Sequence, residues 1–209
     1  MPDKSNVYGY IGASPTQLVT NTGVHSVSDA LELTSIGHWG GSLELIQEQT
    51  VASVDYIDFT NIKEDEYDVH YMTVNAFTGS NMNIRLRFYE SGVLETANVY
   101  QQAHQFGDSA GTFLEIKDTA DGEIEVANTT SDPSSAYIYF YNLGDSSKYS
   151  FTTSHSFNDD SDDSRAAFMF GGGVLPQDSV VDGIRVLPLS GTITSATVKL
   201  YGVKQLWVL

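Results

Sequence analysis

Carboxylates dominate the groups in this sequence that could do chemistry, with 27 Asp and Glu against 10 Lys and Arg. Their densest run is Asn158-Asp159-Asp160-Ser161-Asp162-Asp163. Clustered carboxylates are hard oxygen ligands, so Asp159, Asp160, Asp162 and Asp163 are the candidate calcium ligands. The run lacks the sixth-position glycine and the distal glutamate of an EF-hand loop. It therefore reads as a solvated surface loop, and no cofactor is expected. The five histidines, His25, His38, His70, His104 and His155, form no HxH or HExxH pair, and no two share metal-ligand spacing. His70 falls in a β-rich run and reads as a packed or surface residue. No G-x-S-x-G elbow is present. Gly171-Gly172-Gly173 lacks the Lys-Ser/Thr of a phosphate loop and reads as a turn. A glycosidase pair of acids can come from any two strands, so the abundance of acids says nothing about one. The absence of cysteine excludes disulfides, thiolate metal sites and cysteine nucleophiles together. No catalytic residue is assigned, and the expectation is a protein that is not an enzyme.

Aromatic residues carry more information. Tyr137, Tyr139 and Tyr141 share one face of a strand, with Ile138 and Phe140 on the other. A row of tyrosines offers rigid, amphipathic area with few rotors to freeze, suited to a subunit contact or to stacking on a sugar. The alternative is that both faces of this strand are buried in the fold or at a subunit contact. The segment Gln205-Leu206-Trp207-Val208-Leu209 is strongly apolar. Exposed, it would be a sticky patch, so Trp207 is expected to dock on the core or on a neighbour. Together these features point to a homo-oligomer, with a trimer favoured.

The net charge of -17 bears on partners. Nucleic-acid affinity rests on Lys and Arg displacing counterions from phosphates, and anionic membrane surfaces attract the same side chains. Neither partner is expected. The first residues, Met1-Pro2-Asp3-Lys4-Ser5-Asn6, are followed by no apolar signal-peptide region. No apolar run approaches the ~18 residues of a membrane span. Synthesis and folding in a cytoplasm are therefore expected.

The elements that must position these groups are mostly strands. Residues 1–40 read as an attachment arm, with Tyr8, Tyr10, Val24 and Trp39 as candidate docking residues. Within it, Asp29 is a plausible N-cap with Glu32 three residues on, opening a short helix that Gly37 would stop. Residues 41–209 read as one β-domain. Leu43–Gln49, Val51–Phe59, Tyr67–Phe77, Asn83–Tyr89, Val93–Gln102, Thr112–Lys117 and Glu123–Ala127 are expected strands. Asp121-Gly122 reads as the hairpin turn between the last two of these. Ala136–Asn142, Tyr149–Phe157, Ala166–Phe170, Val180–Pro188 and Thr192–Lys204 complete the set. Ten or so strands with turn signals roughly 8–12 residues apart predict an antiparallel, jelly-roll-like β-sandwich behind an arm and a short helix.

Three segments carry a resemblance. Asn21-Thr22-Gly23-Val24-His25-Ser26-Val27-Ser28-Asp29, then Trp39, is similar to a lead-in placed ahead of phage fibre and structural modules. Ile57-Asp58-Phe59-Thr60-Asn61-Ile62 and Ile84-Arg85-Leu86-Arg87-Phe88 resemble the opening strands of such a module. Gly183-Ile184-Arg185-Val186, Ser190-Gly191 and Leu200-Tyr201-Gly202-Val203-Lys204 resemble its closing strands. By order and spacing over residues 21–204 the chain resembles structural proteins of tailed bacteriophages found in tail fibres and in head or tail decorations. The resemblance implies a virion component (a short fibre, knob or decoration protein) made in the host cytoplasm. It implies partners among head or tail proteins, and no catalytic residue. A receptor-binding or lectin-like module recognising host-surface glycans is the alternative.

Overall fold

The computed structural model describes residues 42–79, 83–127, 133–160 and 165–204, with the side chains of Asp159 and Asp160 excepted. The chain divides into a unit of Met1–Ser42 and a unit of Leu43–Leu209, and every described strand lies in the second. In chain order the strands are β1 (Leu43–Val54), β2 (Ile57–Phe59), β3 (Val69–Gly79), β4 (Ile84–Glu90), β5 (Val93–Leu94), β6 (Tyr100–Asp108) and β7 (Phe113–Asp121). They continue as β8 (Ile124–Ala127), β9 (Ser134–Tyr141), β10 (Ser150–Asp160), β11 (Arg165–Leu175), β12 (Val181–Pro188) and β13 (Ile193–Val203). No helix occurs among the described residues.

The strands form two antiparallel sheets, and the fold is a β-sandwich. The larger sheet has eight strands in the order β1-β13-β3-β9-β10-β11-β6-β7. The smaller has the order β2-β12-β4-β5, with β8 also paired to β4. Alternation along each strand decides which side chains face the core. On β4, Ile84, Leu86 and Phe88 are buried while Arg85, Arg87 and Tyr89 face out. On β9, Ala136, Ile138 and Phe140 are buried opposite the tyrosine row. β13 breaks its alternation once, with Thr194 and Ser195 both exposed between buried Ile193 and Ala196. A register shift against β3 at Ser195 absorbs the extra residue and returns Val198 and Leu200 to the core.

The core is aromatic at its centre. The Phe88 ring meets Tyr100 at 6.0 Å and Phe140 at 6.1 Å, both edge to face. Each fully buried ring of this kind stabilises by about 1.5–3 kcal/mol. The Tyr100 hydroxyl accepts a hydrogen bond from the Phe88 N–H at 2.9 Å, which meets its polar need inside the core.

Four sequence expectations are corrected. Gly171-Gly172-Gly173 is no turn but the middle of β11. A Cβ on Gly171 would lie 2.3 Å from the Ala103 carbonyl oxygen, and one on Gly172 would lie 2.2 Å from that of Thr152. Glycine stands there because neighbouring backbones approach too closely for a side chain. Asp121-Gly122 does not close a hairpin, because β7 edges the large sheet while β8 joins the small one. The run Val93–Gln102 is split. The Glu95 carboxylate accepts from the Ala97 N–H at 2.7 Å, turning the chain from β5 toward β6. Asn158, Asp159 and Asp160 continue β10 instead of opening a loop. The arm with Tyr8, Tyr10, Val24 and Trp39, the helix after Asp29, Asp162, Asp163 and Trp207 lie outside the described residues.

Candidate functional site

The outer face of the large sheet is where the sequence-predicted residues converge. Pairing sets Tyr139 opposite Tyr71 of β3, and Tyr71 opposite Tyr201 of β13. On its other side, Tyr137 pairs with His155 of β10, and His155 with Phe170 of β11. All these side chains point away from the core. The rings of Tyr201, Tyr71, Tyr139, Tyr141, Tyr137, His155, Phe170, Phe168 and Phe113 form an unbroken chain of contacts with centroids 4.8 to 6.4 Å apart. Ring pairs of this geometry contribute roughly 0.5–1.5 kcal/mol beyond their burial. Yet Tyr137 is 43% and Phe170 49% exposed, so the reading that both faces of β9 are buried does not hold for the chain by itself.

The charge pattern of this face is as distinctive as its rings. No outward residue of β3 (through Asn75), β9, β10 (through Phe157), β11 or β6 is Asp, Glu, Lys or Arg. Charges return on the flanking strands, where Asp118 of β7 lines the rim and the others stand in two opposite-charge pairs. Lys199 of β13 meets Glu48 of β1 at 3.2 Å, and Lys117 meets Glu115 on β7 at 2.7 Å. For a chain of net charge -17 this is a marked exclusion. The small sheet does the reverse. Its outer face carries Arg85 and Arg87 paired with Glu123, and Arg185 held by both oxygens of Asp58 at 2.7 Å. Arg185 also lies over the Tyr56 ring at 3.5 Å.

The aromatic face has two parts of different shape. Over β13, β3 and β9 the tyrosines pack ring against ring into a plate, with Lys199 of β13 beside Tyr201. Burial and then the neighbouring phenols push the Tyr71 hydroxyl above its ordinary pKa. Over β11 and β6 the sheet is bare, because Gly172 and Ala103 are paired there. A trough of about 740 Å³ lies along that strip, walled by Phe151 and Val174 on one side and by Lys117, Asp118 and Thr119 on the other, with Gln101 beside its floor.

The histidines do separate work. His70 is buried and its Nε2–H donates to the Ile62 carbonyl at 2.8 Å. His155 joins the aromatic face, and His104 is buried facing the interior. No group of three or more His, Asp or Glu among the described residues could hold a metal ion. Sequence reading found the tyrosine row but missed Tyr71, Phe151, His155, Phe168 and Phe170 as its companions. Alternation alone gives each its outward side; only strand order brings them together.

Fold and face together describe a β-sandwich that presents an aromatic sheet surface poor in charge. No family model, curated protein or solved structure matches the chain.

Proposed function

We propose that this chain is a non-enzymatic structural protein of a virion, a short fibre, knob or decoration protein, that assembles with copies of itself through the tyrosine plate. In this reading residues 1–40 attach it to the particle and the sandwich projects outward. The observation that carries the proposal is the plate itself, on a chain of net charge -17 a half-exposed aromatic surface whose one charged side chain, Lys199, is paired with Glu48 at 3.2 Å. Acidic copies repel one another over most of their surface, and least where neither contributes a charge. Uncharged, tyrosine-rich area is also what the centre of a protein interface selects. Assembly as a trimer or another closed ring would bury the plate on every copy.

Light scattering on a size-exclusion column tests this directly. The native chain is expected at a discrete multiple of 22.8 kDa. Tyr139→Glu places a carboxylate in the centre of the plate and is expected to lower that multiple while leaving the far-ultraviolet spectrum unchanged. An unchanged mass for the folded variant would sink the assembly role of the plate.

The trough supports a second reading, recognition of a host-surface glycan. Phe151 offers a ring for the apolar face of a sugar, while Gln101, Lys117 and Thr119 offer partners for its hydroxyls. Retention on immobilised polysaccharide tests it.

A further inference from the structure

The large sheet ends at β7, which has no strand on its far side among the described residues. This free edge is long and apolar at one end, with Phe113 65% and Leu114 53% exposed. Its hydrogen-bonding sense is fixed at its start, where the Asp108 N–H donates to the Thr112 carbonyl at 3.1 Å. In an antiparallel ladder successive residues turn their backbone groups to opposite sides. Thr112, Leu114, Ile116 and Asp118 therefore face β6, and Phe113, Glu115 and Lys117 turn theirs to solvent.

We propose that two copies of the chain pair antiparallel along β7, about a two-fold axis through Ile116, and so join their large sheets into one. About that axis Glu115 of each copy stands opposite Lys117 of the other. These are the residues whose N–H and C=O groups point outward, so the two pairs supply main-chain hydrogen bonds as well as opposite charges. Ile116 meets its own counterpart across the axis. Other registers lose this match: an axis at Asp118 sets Glu115 against Asp121, and one at Leu114 leaves Lys117 facing no strand residue. Charged side chains on an edge normally block pairing with foreign strands. Here their alternation in sign keeps that block against other sequences and lifts it for a second copy. The proposal does not rest on the tyrosine plate, which lies at the other side of the sheet.

Charge reversal combined with mixing tests it. Analytical ultracentrifugation of the full chain is expected to give half the wild-type mass for Glu115→Lys and for Lys117→Glu, because each variant sets like charges opposite twice. Their dissociation constants should rise about tenfold or more. An equimolar mixture of the two variants restores both opposite-charge pairs and is expected to recover the wild-type mass, as is the double reversal in one chain. Lys117→Pro removes an N–H that the ladder to β6 does not use, so it should halve the mass without unfolding the sheet. A wild-type mass of 22.8 kDa at all micromolar concentrations would overturn the proposal. So would masses that ignore all three single substitutions, or a mixture that stays at half mass. The Tyr139→Glu result bears on the plate alone and the charge reversals on β7 alone, so for an associating wild type the variants tell the two readings apart.

Discussion

Lowering the pH from 7.5 to 4 is expected to cost this fold about 3 kcal/mol through one side chain, His104. The residue lies on β6 with only 6% of its surface exposed, and neither ring nitrogen has a hydrogen-bond partner. Its Cδ2 sits 2.7 Å from where a Cβ on Gly171 would be, so the imidazole occupies the space that this glycine leaves open. Burial holds its pKa down to about 4 from an ordinary 6.5. The unfolded chain therefore takes up a proton that the folded chain refuses. The contribution is complete above pH 6.5 and is lost as the pH falls toward 4. Linkage puts the loss at about 1.4 kcal/mol at pH 5.5 and about 3 kcal/mol at pH 4. Against a total stability of roughly 5–15 kcal/mol, that loss is large. Urea unfolding of the wild type and of His104→Leu over this pH range isolates the effect. Burial pushes the Glu125 carboxyl up and the His70 imidazole down, but both titrate in both proteins and cancel in the difference. At pH 7.5 the variant is expected to be as stable as the wild type or more so, since two unpartnered polar atoms leave the interior. At pH 4 it should be ahead by a further 3 kcal/mol or so. A gap between the two curves that does not change with pH would refute the assignment.

Gly202→Ala is expected to destabilise by about 1–3 kcal/mol in thermal or urea unfolding. Its Cβ would lie 2.4 Å from the Tyr67 ring, which packs flat on β13 at that point. Under the proposed glycan reading, Phe151→Ala is expected to abolish retention on immobilised polysaccharide while leaving the mass in solution unchanged. Retention that survives the substitution would remove the trough as the glycan site.

The fold class was legible in the sequence because alternation is a local property. Ile84, Leu86 and Phe88 against Arg85, Arg87 and Tyr89 specify a half-buried strand with no knowledge of its neighbours. The tyrosine row was legible for the same reason. What was not legible depends on strand order. Gly171-Gly172-Gly173 looks like punctuation until β10 and β6 are placed on either side, close enough that a Cβ would strike the Thr152 or Ala103 carbonyl. Asp121-Gly122 has hairpin chemistry, yet the small sheet captures β8 through β4, and the Arg87 guanidinium donates to the Gly122 carbonyl at 3.1 Å. The aromatic face depends on strand order most of all. Tyr201 and Tyr71 are far apart in sequence but 6.0 Å apart as rings.

The placement of charge ties these features together. On the small sheet the outward cations are locked into partly buried pairs, so that face offers a partner little unsatisfied charge. On the outer face of the large sheet charge is absent from β3, β9, β10 through Phe157, β11 and β6; it is present at the flanks, as Lys199 with Glu48 on one side and as Glu115, Lys117 and Asp118 on the other. Much of the acid excess of a chain of net charge -17 lies off this face, in segments between strands such as Glu64-Asp65-Glu66. At physiological ionic strength the Debye length is about 8 Å, so acids farther than that from a contact oppose it only weakly. An acidic protein with this arrangement stays soluble through its loops and can still associate through its sheet. In the proposed assembly, solubility and association fall to different surfaces. That separation is then a physical reason for a face so poor in charge to persist on so acidic a chain.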